Sequence, residues 1–111
     1  MKMMTKKIEK ELNKYPLYSQ DGKGDKAKVL IKYFAPWTAA TWYVLEGERL
    51  DDGDYEFFGI AYIHEWEYGY FRLSQLEEIK GPWGLTIERD LYMSDYTVGQ
   101  LKSIGEISEE L

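Results

Sequence analysis

The chain has 111 residues, 44% of them hydrophobic and 16% aromatic, which suits one domain that buries about two-thirds of its unfolded surface. It contains no cysteine, so disulfide frameworks, thiolate nucleophiles and cysteine zinc sites are excluded. Charge is polarised: residues 1–32 hold nine lysines against four acids, a net of +5, which leaves −11 for residues 33–111 out of the total of −6.

Residues 5–15 place Ile8, Leu12 and Tyr15 at helical spacing, with Glu and Lys between them and Pro16 just beyond, which predicts an amphipathic helix. Asp21-Gly22-Lys23-Gly24-Asp25 reads as a flexible charged connector. Val29 to Phe34 has the length and β-branching of a buried strand, and residues 39–48 form the next. Asp52-Gly53 marks a hairpin turn into a third strand over 55–63. A fourth follows at Tyr68, Tyr70 and Leu73, where the S-x-x-E spacing of Ser74 and Glu77 predicts a capping box and a short helix starting at Ser74. Gly81-Pro82 ends that helix, and Leu85, Ile87 and Leu91 suggest an extended segment with Thr86, Glu88 and Asp90 on its other side. Asp95 is the expected cap of a last helix through Val98, Leu101 and Ile104, closed by Gly105.

These elements define an α+β fold: a small antiparallel sheet of four to five strands, with an N-terminal helix and two short helices packed on it. The expected organisation is a single domain, 1–111, with the helix and basic connector in 1–26, the sheet-containing core in 27–105 and an acidic tail in 106–111. In Trp42-Tyr43-Val44-Leu45 and Phe57 to Ile63 neither alternate set is polar, so both faces of the sheet need a cover. The N-terminus lacks the apolar run of a signal peptide and no segment is long enough to span a bilayer, which gives a cytoplasmic expectation with no membrane partner.

The run Tyr68 to Met93 also carries a likeness. Thr41-Trp42, Asp52-Gly53-Asp54, Phe58-Gly59-Ile60, Gly69-Tyr70-Phe71, Leu73-Ser74-Gln75-Leu76-Glu77, Gly81-Pro82-Trp83-Gly84-Leu85 and Ile87-Glu88-Arg89-Asp90-Leu91 resemble the domain of unknown function family 2958 over about residues 29–93. The resemblance implies a small soluble protein of bacterial mobile elements and phages. It supplies no catalytic residues.

Catalytic signals are sparse. His64 is the single histidine, and no serine stands in a strained elbow such as G-x-S-x-G. Gly22-Lys23-Gly24-Asp25-Lys26-Ala27 matches a dinucleotide fingerprint by letters, yet it precedes a strand instead of joining a strand to a helix. Asp51-Asp52-Gly53-Asp54 lacks the remaining spacing of a calcium loop.

The acids are densest between Glu46 and Glu56, six carboxylates against one arginine. Such a surface repels nucleic acid and attracts basic protein grooves. The favoured expectation is therefore a non-enzymatic protein-binding inhibitor of a host nucleic-acid-targeting defence protein, of anti-CRISPR type against a Cas9-like effector. In this reading Asp51, Asp52, Asp54, Glu56, Glu65 and Glu67 pair with the partner's cations, and Trp66 and Trp83 anchor the contact. No cofactor is needed. The alternative is a small metal-binding enzyme or sensor in which His64, Glu65 and Glu67 ligate a divalent ion such as zinc. Tyr15, Trp37, Tyr55, Tyr68 and Tyr92 are further outward aromatic candidates. The oligomeric state is left as monomer or homodimer, the latter through the basic end of one copy meeting the acidic face of another.

Overall fold

The computed structural model describes residues 2–93 and 95–111. Helix α1 spans Lys6–Leu12; strands β1 Ile31–Phe34, β2 Thr41–Arg49, β3 Tyr55–Tyr62 and β4 Trp66–Arg72 follow, then α2 Leu73–Glu77, β5 Glu88–Arg89 and α3 Val98–Ser103. The strands form one antiparallel sheet in the order β4-β3-β2-β1-β5, the α+β architecture expected from the sequence. The two long central strands draw their pairing from Trp42 to Leu45 and Tyr55 to Ala61, runs of aromatic and β-branched residues that suit a pleated surface.

Both faces of the sheet are covered, each by its own core. Ile31 and Tyr33 of β1, Trp42 and Val44 of β2, Tyr55 and Phe57 of β3, and Phe71 of β4 share one face with Leu12 of α1 and Leu73 and Leu76 of α2. Tyr43, Leu45 and Ile60 point the other way and meet Val29, Val98 and Leu101 of α3, and Ile107. Each fully buried large side chain of this kind contributes about 1.5–3 kcal/mol. A register shift between Val44 and Glu46 lets Leu45 and Glu46 both leave the α1 side. Gly59 faces that irregularity, and a Cβ there would lie 1.9 Å from the Tyr43 carbonyl oxygen. Gly47 is needed for a different contact, since its Cβ would crowd the Leu12 methyl that docks α1.

The helix caps differ from those the sequence suggested. Thr5 caps α1 by accepting from Ile8 N–H at 3.2 Å. Helix α2 begins at Leu73, and Gln75 Oε1 accepts from Arg72 N–H at 2.8 Å, so the Ser74–Glu77 capping box does not form. Ser74 is already inside the helix, and its hydroxyl donates instead to Asp54 across the sheet edge. Thr97, not Asp95, caps α3, with Thr97 Oγ1 accepting from Gln100 N–H and Gln100 Oε1 accepting from Thr97 N–H. Asp95 sits at φ 56 and pairs with Lys28 at 3.3 Å. Gly105 closes α3 at φ 81 as expected.

Two stretches pack differently from their pattern. Of Leu85, Ile87 and Leu91 only Ile87 is buried, because β5 is a two-residue strand whose pairing with β1 reaches only Glu88 and Arg89. Residues 106–111 fold back onto the sheet: Ile107 is buried and Lys102 Nζ donates to the Leu111 carbonyl at 2.8 Å. Among the described residues no helix is long and apolar enough to cross a membrane.

Candidate partner-binding surface

The acidic stretch is largely used by the fold itself. Glu46 is 1% exposed, and its two carboxylate oxygens accept from Tyr18 N–H and Gln20 N–H, both at 2.7 Å. Gln20 completes the staple, donating to the carbonyls of Lys28 and Leu45 and accepting from Lys28 N–H. This network pins the 16–28 segment to the β2 irregularity and holds Tyr18 at φ 73. The connector expected to be flexible is thus tied at both ends and carries a 3-10 turn over Gly24–Lys26.

Asp54 is similarly engaged. Its Oδ1 accepts from Tyr55 N–H at 2.7 Å and Ser74 N–H at 3.1 Å, and its Oδ2 from the Ser74 hydroxyl at 2.6 Å. Asp54 thereby caps the first turn of α2 from the end of the β2–β3 turn. Burial pushes its carboxyl upward, but these hydrogen bonds outweigh it and hold the group below the ordinary aspartate value. Glu56 pairs with Arg72 at 3.3 Å. Of the six carboxylates only Glu48, Asp51 and Asp52 remain exposed to water, and Asp52 also accepts from Asp54 N–H.

The second predicted group lies at the opposite end of β3. His64 and Glu65 are exposed in the 63–65 turn between β3 and β4. Glu67 follows on β4 opposite Ala61, and Trp66 opposite Tyr62. Trp66 is half-buried against the α3-side core, stacked on Tyr43 with ring centroids 6.2 Å apart and tilted against Tyr62 at 5.0 Å. It is a packing residue more than an anchor. Because β3 separates the two turns, the structure does not unite Asp51, Asp52, Asp54 and Glu56 with Glu65 and Glu67. Nor, among the described residues, does any group of three His, Cys, Asp or Glu gather that could hold a metal ion.

Trp83 is the predicted residue that the fold presents most fully. It is 97% exposed at φ 60 and ψ 24, in a 3-10 turn over Pro82–Gly84, a region that bulky residues rarely occupy. Gly81 N–H donates to the Leu85 carbonyl at 2.8 Å and Leu85 N–H to that of Pro82 at 3.0 Å. Gly81 itself is pressed on Trp37, whose ring would lie 2.5 Å from an added Cβ. Tyr92 is 91% exposed nearby in sequence and Tyr68 42% exposed on β4, whereas Tyr55 is buried and Trp37 packs on the α1-side core.

One cluster escaped the sequence reading. Glu106 Oε2 accepts from Lys32 Nζ at 2.9 Å and from the Tyr43 hydroxyl at 2.5 Å, at the edge of a hollow of about 400 Å³ walled by Tyr62 and Trp66. Burial and the Glu106 contact push the Tyr43 hydroxyl strongly upward. Burial also acts to raise Glu106, but the Tyr43 and Lys32 contacts prevail and lower it. The three groups satisfy one another and latch the C-terminal segment to the sheet. Their separations of 11 and 63 residues carry no periodic signal that would have linked them.

No curated protein and no solved structure matches the chain. The family model for proteins of unknown function DUF2958 matches residues 3–102 of the 111, and the chain belongs to that family.

Proposed function

We propose that the protein is a non-enzymatic protein-binding module in which Trp83 anchors a basic partner and the exposed acids complement it. The observation that carries the reading is the state of Trp83: a large indole held in left-handed backbone and open to water. Strain of this kind costs on the order of 1–2 kcal/mol and persists where the surroundings impose it. Tryptophan is also the residue type most enriched among interface hot spots. Glu77, Glu78 and Glu88 flank the turn in sequence, and Asp51 and Asp52 add a separate acidic tip.

The partner class is a host nucleic-acid-handling protein, with a guide-loaded Cas effector in the bacterial cytoplasm as the specific candidate. Its basic channel, which normally holds a phosphate backbone, offers the complementary charge. Occupying that channel would exclude nucleic acid by competition. The test is retention of guide-loaded effector on immobilised wild type, Trp83→Ala and Asp51→Asn/Asp52→Asn chains. Loss of more than tenfold in affinity for Trp83→Ala, and weaker binding at higher salt, is the expected result. Equal retention by all three chains would remove Trp83 and the acidic tip from the contact and sink the proposal.

A further inference from the structure

The two edges of the sheet are built differently. The β5 edge is only two residues long, a length that offers little backbone for pairing. The β4 edge runs for seven residues, Trp66–Arg72, without proline, lysine or a register shift against β3. Proline, lysine and bulges are among the devices by which natural edge strands avoid pairing with another chain, and the two charges that β4 does carry, Glu67 and Arg72, sit toward its ends. Its side chains are also uncommonly apolar for an edge: Tyr68 and Tyr70 are 42% and 53% exposed and form an aromatic rib with Phe58, at centroid distances of 6.0 and 5.0 Å.

We infer that β4 pairs antiparallel with β4 of a second copy, about a two-fold axis through Gly69. The sequence WEYGYFR has Gly69 at its centre, and an isologous pairing makes each residue meet its mirror position. Gly69 then faces Gly69 across the axis. Tyr68 lies opposite Tyr70 of the second copy on the face that holds the aromatic rib, twice over, so the rib becomes continuous. Trp66 lies opposite Arg72, which places a guanidinium beside an indole, and the acidic start of each strand runs alongside the basic end of the other. Cross-strand aromatic pairs and opposite charges each favour such a register by a few tenths to 1 kcal/mol.

Gly69 fits this arrangement and is not required by the chain's own fold. Its φ is not left-handed, and a Cβ there would meet nothing within 4 Å. One strand pair buries less than the roughly 1,200 Å² of a standard interface, so the dimer is a weak one that dissociates on dilution. Each copy carries −6, so screening strengthens the pairing; association of a basic end with an acidic face would weaken instead. The pairing stands on β4 alone and does not involve Trp83, whose turn lies against Trp37 in the β1–β2 loop.

Sedimentation velocity on the full chain over a concentration series tests it, together with Gly69→Lys and Gly69→Glu. Both substitutions enter open space in the single chain, and circular dichroism checks that each is folded. Wild type should shift reversibly from monomer to dimer as concentration and salt rise. Each variant should remain monomeric, because like charges are set directly opposite at the axis, and an equimolar mixture of the two should recover the dimer. In wild type the β4 amides should gain hydrogen-exchange protection with concentration, a readout that needs no variant. A wild type that stays monomeric, a Gly69→Lys chain that still dimerises, or a mixture that fails to re-associate would overturn the pairing.

Discussion

Two turns stand out in this molecule, and they treat their conspicuous residues in opposite ways. The β2–β3 turn and its flanks concentrate six carboxylates between Glu46 and Glu56, yet Glu46 is buried as a backbone acceptor, Asp54 caps α2 and Glu56 holds Arg72. The turn at Pro82–Gly84 has one conspicuous side chain, Trp83, and leaves it 97% exposed on left-handed backbone. Local density of charge is therefore a poor guide to what a partner can reach. A carboxylate satisfies orphan backbone N–H groups so well that a fold readily recruits it, whereas an indole has a single polar hydrogen and is either packed or displayed.

Substitutions can test that contrast, beginning where the fold depends most on an acid. Glu46→Ala leaves two N–H groups in a buried site without acceptors and should cost about 3–4 kcal/mol in urea denaturation. A loss below about 1 kcal/mol would mean that water replaces the carboxylate freely. Asp54→Ala removes the cap of α2 from the β2–β3 turn and should cost about 1–2 kcal/mol. For the same reason, an Asp54 substitution is a poor probe of a binding surface.

Acidification tests the same carboxylates together. Asp54 and Glu106 are both held below their ordinary values of 3.8 and 4.5. Groups with depressed folded values stabilise the protein above the unfolded value and lose that contribution as pH falls through the folded one. The melting temperature should thus be flat with respect to these two groups at neutral pH and fall below about pH 4, and Asp54→Asn should flatten part of that fall.

At the other turn the stability effects should be small. Trp83→Gly relieves the left-handed conformation and should raise stability by about 0.5 kcal/mol after the added chain entropy is offset. A clear loss would show that the indole packs in solution. Asp51→Asn with Asp52→Asn should stay within about 0.5 kcal/mol of wild type, which makes that pair, unlike Asp54, a clean probe of binding.

The sequence alone determined the α+β architecture, the order of the elements and the burial of both sheet faces. Each of these rests on short-range periodicity: Ile8 and Leu12 at helical spacing, the unbroken apolar runs Trp42–Leu45 and Phe57–Ile63, the Asp52-Gly53 turn. The helix ends were legible where the cap is local, as at Gly105, and misread where a distant group competes, since Ser74 bonds to Asp54 and not to its own helix. Only the tertiary structure decided which acids are available, that the two acidic turns lie at opposite ends of β3, and that Lys32, Tyr43 and Glu106 converge. Those facts depend on strand register and on contacts between residues far apart in the chain, where no spacing rule in the sequence reaches.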